Sequence, residues 1–113
     1  DFTKAALAAG NAVVATGRNT DTVSKALGQA ENLLVVKLDV TSPADAKAAT
    51  QAAVDRFGRI DVLFNSAYDP GSFEPIAQAN LDGWRRAMEV NFFGTMQLTQ
   101  ACVPAIIAGT QAW

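Results

Sequence analysis

The chain has 113 residues, 50% of them hydrophobic and 18% charged, enough for one domain with a core of modest size. Nine Lys and Arg against eleven Asp and Glu give a net charge of −2, and one cysteine leaves nothing to pair. Nucleic acid, anionic membranes and a disulfide scaffold are therefore poor matches, and the absence of histidine removes the usual hydrolase triads and most zinc sites, so no metal is expected.

No unbroken apolar run approaches the roughly 18 to 20 residues that cross a bilayer. Cys102, in an apolar stretch, reads as a buried core thiol in a reducing compartment, and a cytoplasmic location is the expectation. The chain opens on Asp1, without a methionine and inside what reads as a helix, so it is expected to be an internal portion of a longer protein.

Ala5 to Ala9 followed by Gly10 reads as the end of that helix. Ala12 to Thr16 is a short continuous apolar run, as expected for a strand buried on both faces of a parallel sheet. Thr20 or Asp21 is expected to cap a helix over about residues 22 to 29, and Leu33 to Leu38 to form a second buried strand. Ser42 as N-cap, Pro43 at the first helical position and Asp45 in the first turn mark a helix start. That helix should bury Ala46, Ala49, Ala53, Val54 and Phe57 and stop at Gly58. Ile60 to Asn65 is expected as a third strand, followed by a loop to about Ala79. Leu81, Trp84, Met88, Phe92, Thr95 and Thr99 then share one face at helical spacing, which predicts a long helix with Trp84, Met88 and Phe92 in the core, kinked or ended by Pro104. Ala108 to Trp113 reads as a loop.

Strands separated by helices give a doubly wound, Rossmann-type α/β fold, three layers around a parallel sheet. Three strands are few for it, so the sheet is expected to be incomplete. In such sheets ligands sit beyond the carboxyl ends of the strands, which draws attention to Gly17-Arg18-Asn19, Asp39-Val40-Thr41 and Asn65-Ser66-Ala67-Tyr68. Arg18 reads equally as a solvated loop charge or as a planar cation for adenine or phosphate. Asp39 reads as a turn cap or as an acceptor for a purine amino group, and Asn65 as a residue that satisfies backbone groups at a strand end.

Together, Ala-Thr-Gly-Arg-Asn at 15 to 19, Leu-Asp-Val-Thr at 38 to 41, Arg-Phe-Gly-Arg-Ile-Asp-Val-Leu at 56 to 63, Asn-Ser-Ala at 65 to 67, and Trp84 followed by Val90-Asn91-Phe92-Phe93-Gly94 resemble the classical short-chain dehydrogenase/reductases. The resemblance implies an NAD(P)-dependent oxidoreductase that interconverts a small-molecule alcohol and carbonyl. Arg18, following Gly17 at the strand end, implies NADP(H) rather than NAD(H). Asp39 matches the aspartate that contacts the adenine amino group, Val40 flanks the ring, and Asn65, Ser66 and Ala67 match the run beneath the cofactor. Asn91 matches the helix asparagine of the catalytic tetrad, which helps to hold a water in a proton relay. Ser66 departs from the usual second asparagine. Tyr68 stands where glycine is usual, and its side chain must either point away or narrow the site.

The family's glycine-rich turn, its catalytic serine and its Tyr-x-x-x-Lys pair have no match in this chain, so the chain as given is expected to be inactive, and Tyr68, with serine four positions on, is not a catalytic acid. The family strand order would place its first strand between the one at Ala12 to Thr16 and the one at Ile60 to Asn65, which predicts a gap in the sheet and marginal stability. Family members commonly assemble as dimers or tetramers through the long helix, which puts Leu98, Cys102 and Ile106 either against a partner or in an exposed core. A non-catalytic nucleotide-binding or interaction module on the same scaffold is the alternative.

Overall fold

The computed structural model describes residues 2–111. The first helix, α1 (Phe2–Ala8), leads through Gly10 in a left-handed turn to strand β1 (Val13–Gly17). Asn19, in extended backbone, accepts from Asp21 N and Thr22 N and so opens α2 (Thr20–Leu27). The cap is thus one position before Thr20 and two before Asp21, because the short amide of Asn19 reaches two of the free N–H groups of the first turn. Strand β2 (Leu33–Lys37) pairs in parallel with β1, in register from Val13 on Leu33 to Gly17 on Lys37. Ser42 Oγ accepts from Asp45 N and Pro43 occupies the first turn of α3 (Pro43–Phe57), which ends at Gly58 in the left-handed conformation, as its sequence predicts.

The expected third strand is not formed: among the described residues the sheet has two strands, β1 and β2. Ile60 to Asn65 joins no ladder because a strand is defined by its neighbour, and no strand lies beside this one. Val62 and Phe64 are 75% and 59% exposed there, and Phe64 stacks on Phe2 with ring centroids 4.3 Å apart. The molecule measures 53 × 31 × 22 Å, and its radius of gyration of 15.9 Å exceeds the about 13 Å of a compact chain of this length. It is an incomplete doubly wound α/β fold.

After a short 3-10 turn (Ile76–Gln78), α4 (Leu81–Met88) passes through a π-helical turn (Glu89–Gly94) into α5 (Thr95–Gln111). The core is the contact of α3 with α5: small Ala46 and Ala49 let Leu98 and Cys102 approach, with Leu38 beneath them. Cys102 is a buried free thiol, 3.4 Å from Thr50 Oγ1. Of the two placements open to Leu98, Cys102 and Ile106, the packing is that of a core: Leu98 and Cys102 are buried within the chain and Ile106 packs, half-buried, on the same cluster.

Trp84, Met88 and Phe92 are not core residues; they are 39%, 51% and 51% exposed. The π turn accounts for this. Its wider winding holds one residue more than an α turn and so sets each later residue about 100° from where uniform α spacing would put it. Residues that share a face at uniform α spacing part company across it. α5 also neither ends at Pro104 nor gives way to a loop at Ala108; it runs to Gln111, while Ala112 and Trp113 lie outside the described residues. Pro104 and Gln100 are both exposed, so the carbonyl that lost its donor can turn to water. Leu81–Gly109 is one helical run long and apolar enough, by length and composition, to cross a membrane.

Candidate functional site

The carboxyl ends of β1 and β2 open into a cleft of about 1030 Å³. Gly17, Arg18, Asp39 and Val40 form its sheet side, Ser66 and Ala67 its floor, and Arg86, Glu89 and Val90 its helical wall. Gly94 sets that wall against the sheet, since a Cβ there would meet Val40 Cγ2 at 2.8 Å and Val40 O at 3.0 Å. A glycine is needed because the π turn rests directly on the backbone of the Asp39 loop.

Asp39 is fixed from both directions. Asp39 N donates to Asp45 Oδ2 at 3.0 Å, while Asp39 Oδ1 accepts from Thr41 Oγ1 at 2.6 Å and from Thr41 N at 2.9 Å. Asp39 Oδ2 has no hydrogen bond among the described residues and is left for a donor in the cleft. The hydroxyl and then the amide of Thr41 hold this carboxyl below the usual aspartate value of 3.8, with the positive charges of Arg18 and Lys37 adding to the effect. A carboxyl with a depressed folded pKa contributes stability that is complete above its unfolded value and disappears as pH falls through the folded one. Asp39 is thus expected to titrate below 3.8 in a carboxyl NMR experiment, and Thr41→Val to move that titration upward. An unchanged midpoint would show that Thr41 does not set it.

The segment after Ala67 is tied to the helix. Asp69 N donates to Asn91 Oδ1 at 2.7 Å, and Asn91 Nδ2 donates to Asp69 O at 2.8 Å. Asn91 lies in the π turn, whose wider winding aims its amide at the loop instead of along the helix. The Asp69 carboxylate accepts from Gly71 N at 2.8 Å and lies 3.5 Å from Arg86 Nε. Tyr68 is 73% exposed and is not among the residues lining the cleft, so of the two orientations open to it, it takes the outward one.

Five of the expected residues, Arg18, Asp39, Val40, Ser66 and Ala67, meet around one cleft. Asn65 does not line it; its Nδ2 lies 3.4 Å from Thr99 Oγ1 on α5. Asn91 stands behind the wall and reaches the cleft through Asp69. Asp69 begins the segment to Ile76 that the sequence offers as one wall of the site, whereas Arg86 and Glu89 have no role in the sequence reading, where the adjacent Arg85-Arg86 pair is the one local signal. A planar cation beside a half-satisfied carboxylate, over a floor of small residues, offers hydrogen-bond donors, an acceptor and a flat surface to a nucleotide. Among the described residues no group of three or more acidic or cysteine side chains could hold a metal ion.

A family profile described as short chain dehydrogenase matches residues 1–112. The chain belongs to the short-chain dehydrogenase/reductase family. Trans-4-hydroxycyclohexanecarboxylate dehydrogenase of Sinomonas cyclohexanicum is 44% identical over 77 residues, 66% of this chain and 29% of that protein. Dehydrogenase/reductase SDR family member 7 of Homo sapiens is 35% identical over 81 residues, 72% of this chain and 24% of its own length. The chain thus spans less than a third of either relative. A short-chain glucose/ribitol dehydrogenase structure from Brucella melitensis superposes with a TM-score of 0.80 at 30% identity, covering 88% of this chain and 43% of that one. Serine dehydrogenase from Escherichia coli gives 0.81 at 26% identity, with 95% and 50% covered. The fold expected of a short-chain dehydrogenase/reductase is therefore the one found.

Proposed function

We propose that this chain carries the adenosine side of the cofactor site of an NADP(H)-dependent oxidoreductase that interconverts a small-molecule alcohol and a carbonyl. The observation that carries the reading is the meeting of Arg18 and Asp39 at adjacent strand ends in one cleft. Arg18 binds the phosphate on the adenosine ribose, Asp39 Oδ2 accepts from the adenine amino group, and Val40 flanks the ring. Ser66 and Ala67 form the floor, and Asn65 steadies the strand end through Thr99. The cofactor, when bound, supplies or accepts the hydride. Asn91 keeps the loop in place through Asp69 and, in the same reading, belongs to the proton relay. The serine, tyrosine and lysine of that relay, and the glycine-rich turn for the pyrophosphate, belong to the remainder of the protein.

A cytoplasmic protein accords with one buried, unpaired thiol. A homo-oligomer is part of the same reading, with the apolar surface exposed at Trp84, Met88 and Phe92 as its contact face. The test uses the full-length protein: NADPH is expected to bind more tightly than NADH and to be consumed with at least one member of a panel of aldehydes and ketones. Tight binding without turnover on any of them would favour the nucleotide-binding module, and binding of neither dinucleotide would overturn the reading.

A further inference from the structure

We infer that Asp69 is a positioning residue for this cleft, its carboxylate closing the turn whose backbone Asn91 ties to the helix, and so holding the Ser66-Ala67 floor against the helical wall; the inference rests on the proposed cofactor reading. Ser66 and Ala67 belong to no strand or helix, and the irregular stretch around them begins at Gly58 and reaches Pro75. Unaided, such a stretch has no fixed distance from the wall it faces. Four contacts converge on Asp69, three residues beyond Ser66, and correct this. Its backbone N and O are clamped by the Asn91 amide. One carboxylate oxygen accepts from Gly71 N at 2.8 Å, closing a turn in which Gly71 has φ of 69°. The other lies 3.5 Å from Arg86 Nε on α4.

Asp69 and Arg86 both line the cleft, so the turn, the wall and the floor are joined at one side chain. The carboxylate is about one-quarter exposed and Arg86 70% exposed, which makes the turn-closing bond the stronger contribution and the ion pair the weaker. The role is thus chiefly one of hydrogen-bond acceptance by Oδ1, which asparagine can reproduce, and only secondarily one of charge.

The experiment takes the full-length protein with Asp69→Ala, Asp69→Asn and Arg86→Gln, and reads amide hydrogen exchange over Ser66 to Gly71 without cofactor, the NADPH dissociation constant, and Tm. Asp69→Ala is expected to speed exchange at Asp69 and Gly71 about 10-fold and to weaken NADPH about 3- to 10-fold, at a Tm within about 2 °C of the parent. Asp69→Asn should stay within about 2-fold of the parent in both readouts, and Arg86→Gln within about 2-fold in exchange at Asp69 and Gly71. Unchanged exchange and affinity in Asp69→Ala, or a fall in Tm with affinity unaltered, would overturn the inference. Equal weakening by alanine and asparagine would also overturn it, by assigning the effect to direct contact of the charge with the ligand. If the alanine variant does not fold, the asparagine variant decides: loss of its near-parental exchange rules out the acceptor role. Exchange that responds as expected in a protein that does not bind NADPH would reject the cofactor reading and leave the lock at Asp69 standing.

Discussion

Replacing Arg18 with alanine in the full-length protein is expected to weaken NADPH about 10- to 100-fold while leaving NADH within about 2-fold. The two cofactors differ by one phosphate, so a residue that acts on that group alone must separate them. Arg18 is exposed at the end of β1 and forms no ion pair among the described residues, so its loss costs the fold little. Its positive charge is felt by the Asp39 carboxyl. Arg18→Lys should fall between parent and alanine, because an ammonium keeps the charge but not the planar fork that matches a phosphate. Parallel losses for both cofactors would assign Arg18 to the adenine or the backbone instead and would remove the case for NADP(H).

The second large effect concerns the 113 residues expressed alone: they are expected to melt without a cooperative transition, with a weak near-ultraviolet signal from Trp84. The buried set consists mostly of small side chains on α3 together with Leu38, Leu98 and Cys102, and no large side chain among the described residues is fully enclosed. β1 keeps one edge without a neighbouring strand, and Val62 and Phe64 stand in water. Helical dichroism should survive, since caps at Asn19, Ser42 and Asn80 are local and independent of the sheet. Sharp, coincident transitions by near- and far-ultraviolet dichroism would show that the α3–α5 contact alone supports a unique fold.

The parts of this structure that were legible in the sequence are those set by neighbours along the chain. Ser42, Pro43 and Asp45 start α3 by chemistry confined to one turn, and Gly58 ends it as only a residue free of Cβ does easily. The apolar runs of β1 and β2 pair because each finds the other. Ile60 to Asn65 reads just as well as a strand, yet pairing depends on a neighbour that its own residues cannot supply. The helical stripe through Trp84 and Met88 failed for a different reason: periodicity assumes uniform winding, and Glu89–Gly94 winds differently. At the site, motif spacing brought Arg18, Asp39, Val40, Ser66 and Ala67 to one cleft, while the pairing of Asp69 with Arg86 was not legible because it spans the irregular loop.

The added residue in the π turn separates the site from the core. Deleting one residue between Glu89 and Gly94 would restore uniform α winding, and because the wide turn holds one residue more within the same rotation, α5 would keep its face toward α3. Leu98 and Cys102 would stay on Ala46 and Ala49, whereas the Asn91 amide would lose the widened turn that aims it at Asp69. The extra residue therefore serves the cleft and adds nothing to the packing, so the helix can gain or lose its hold on the loop while the core beside it is spared.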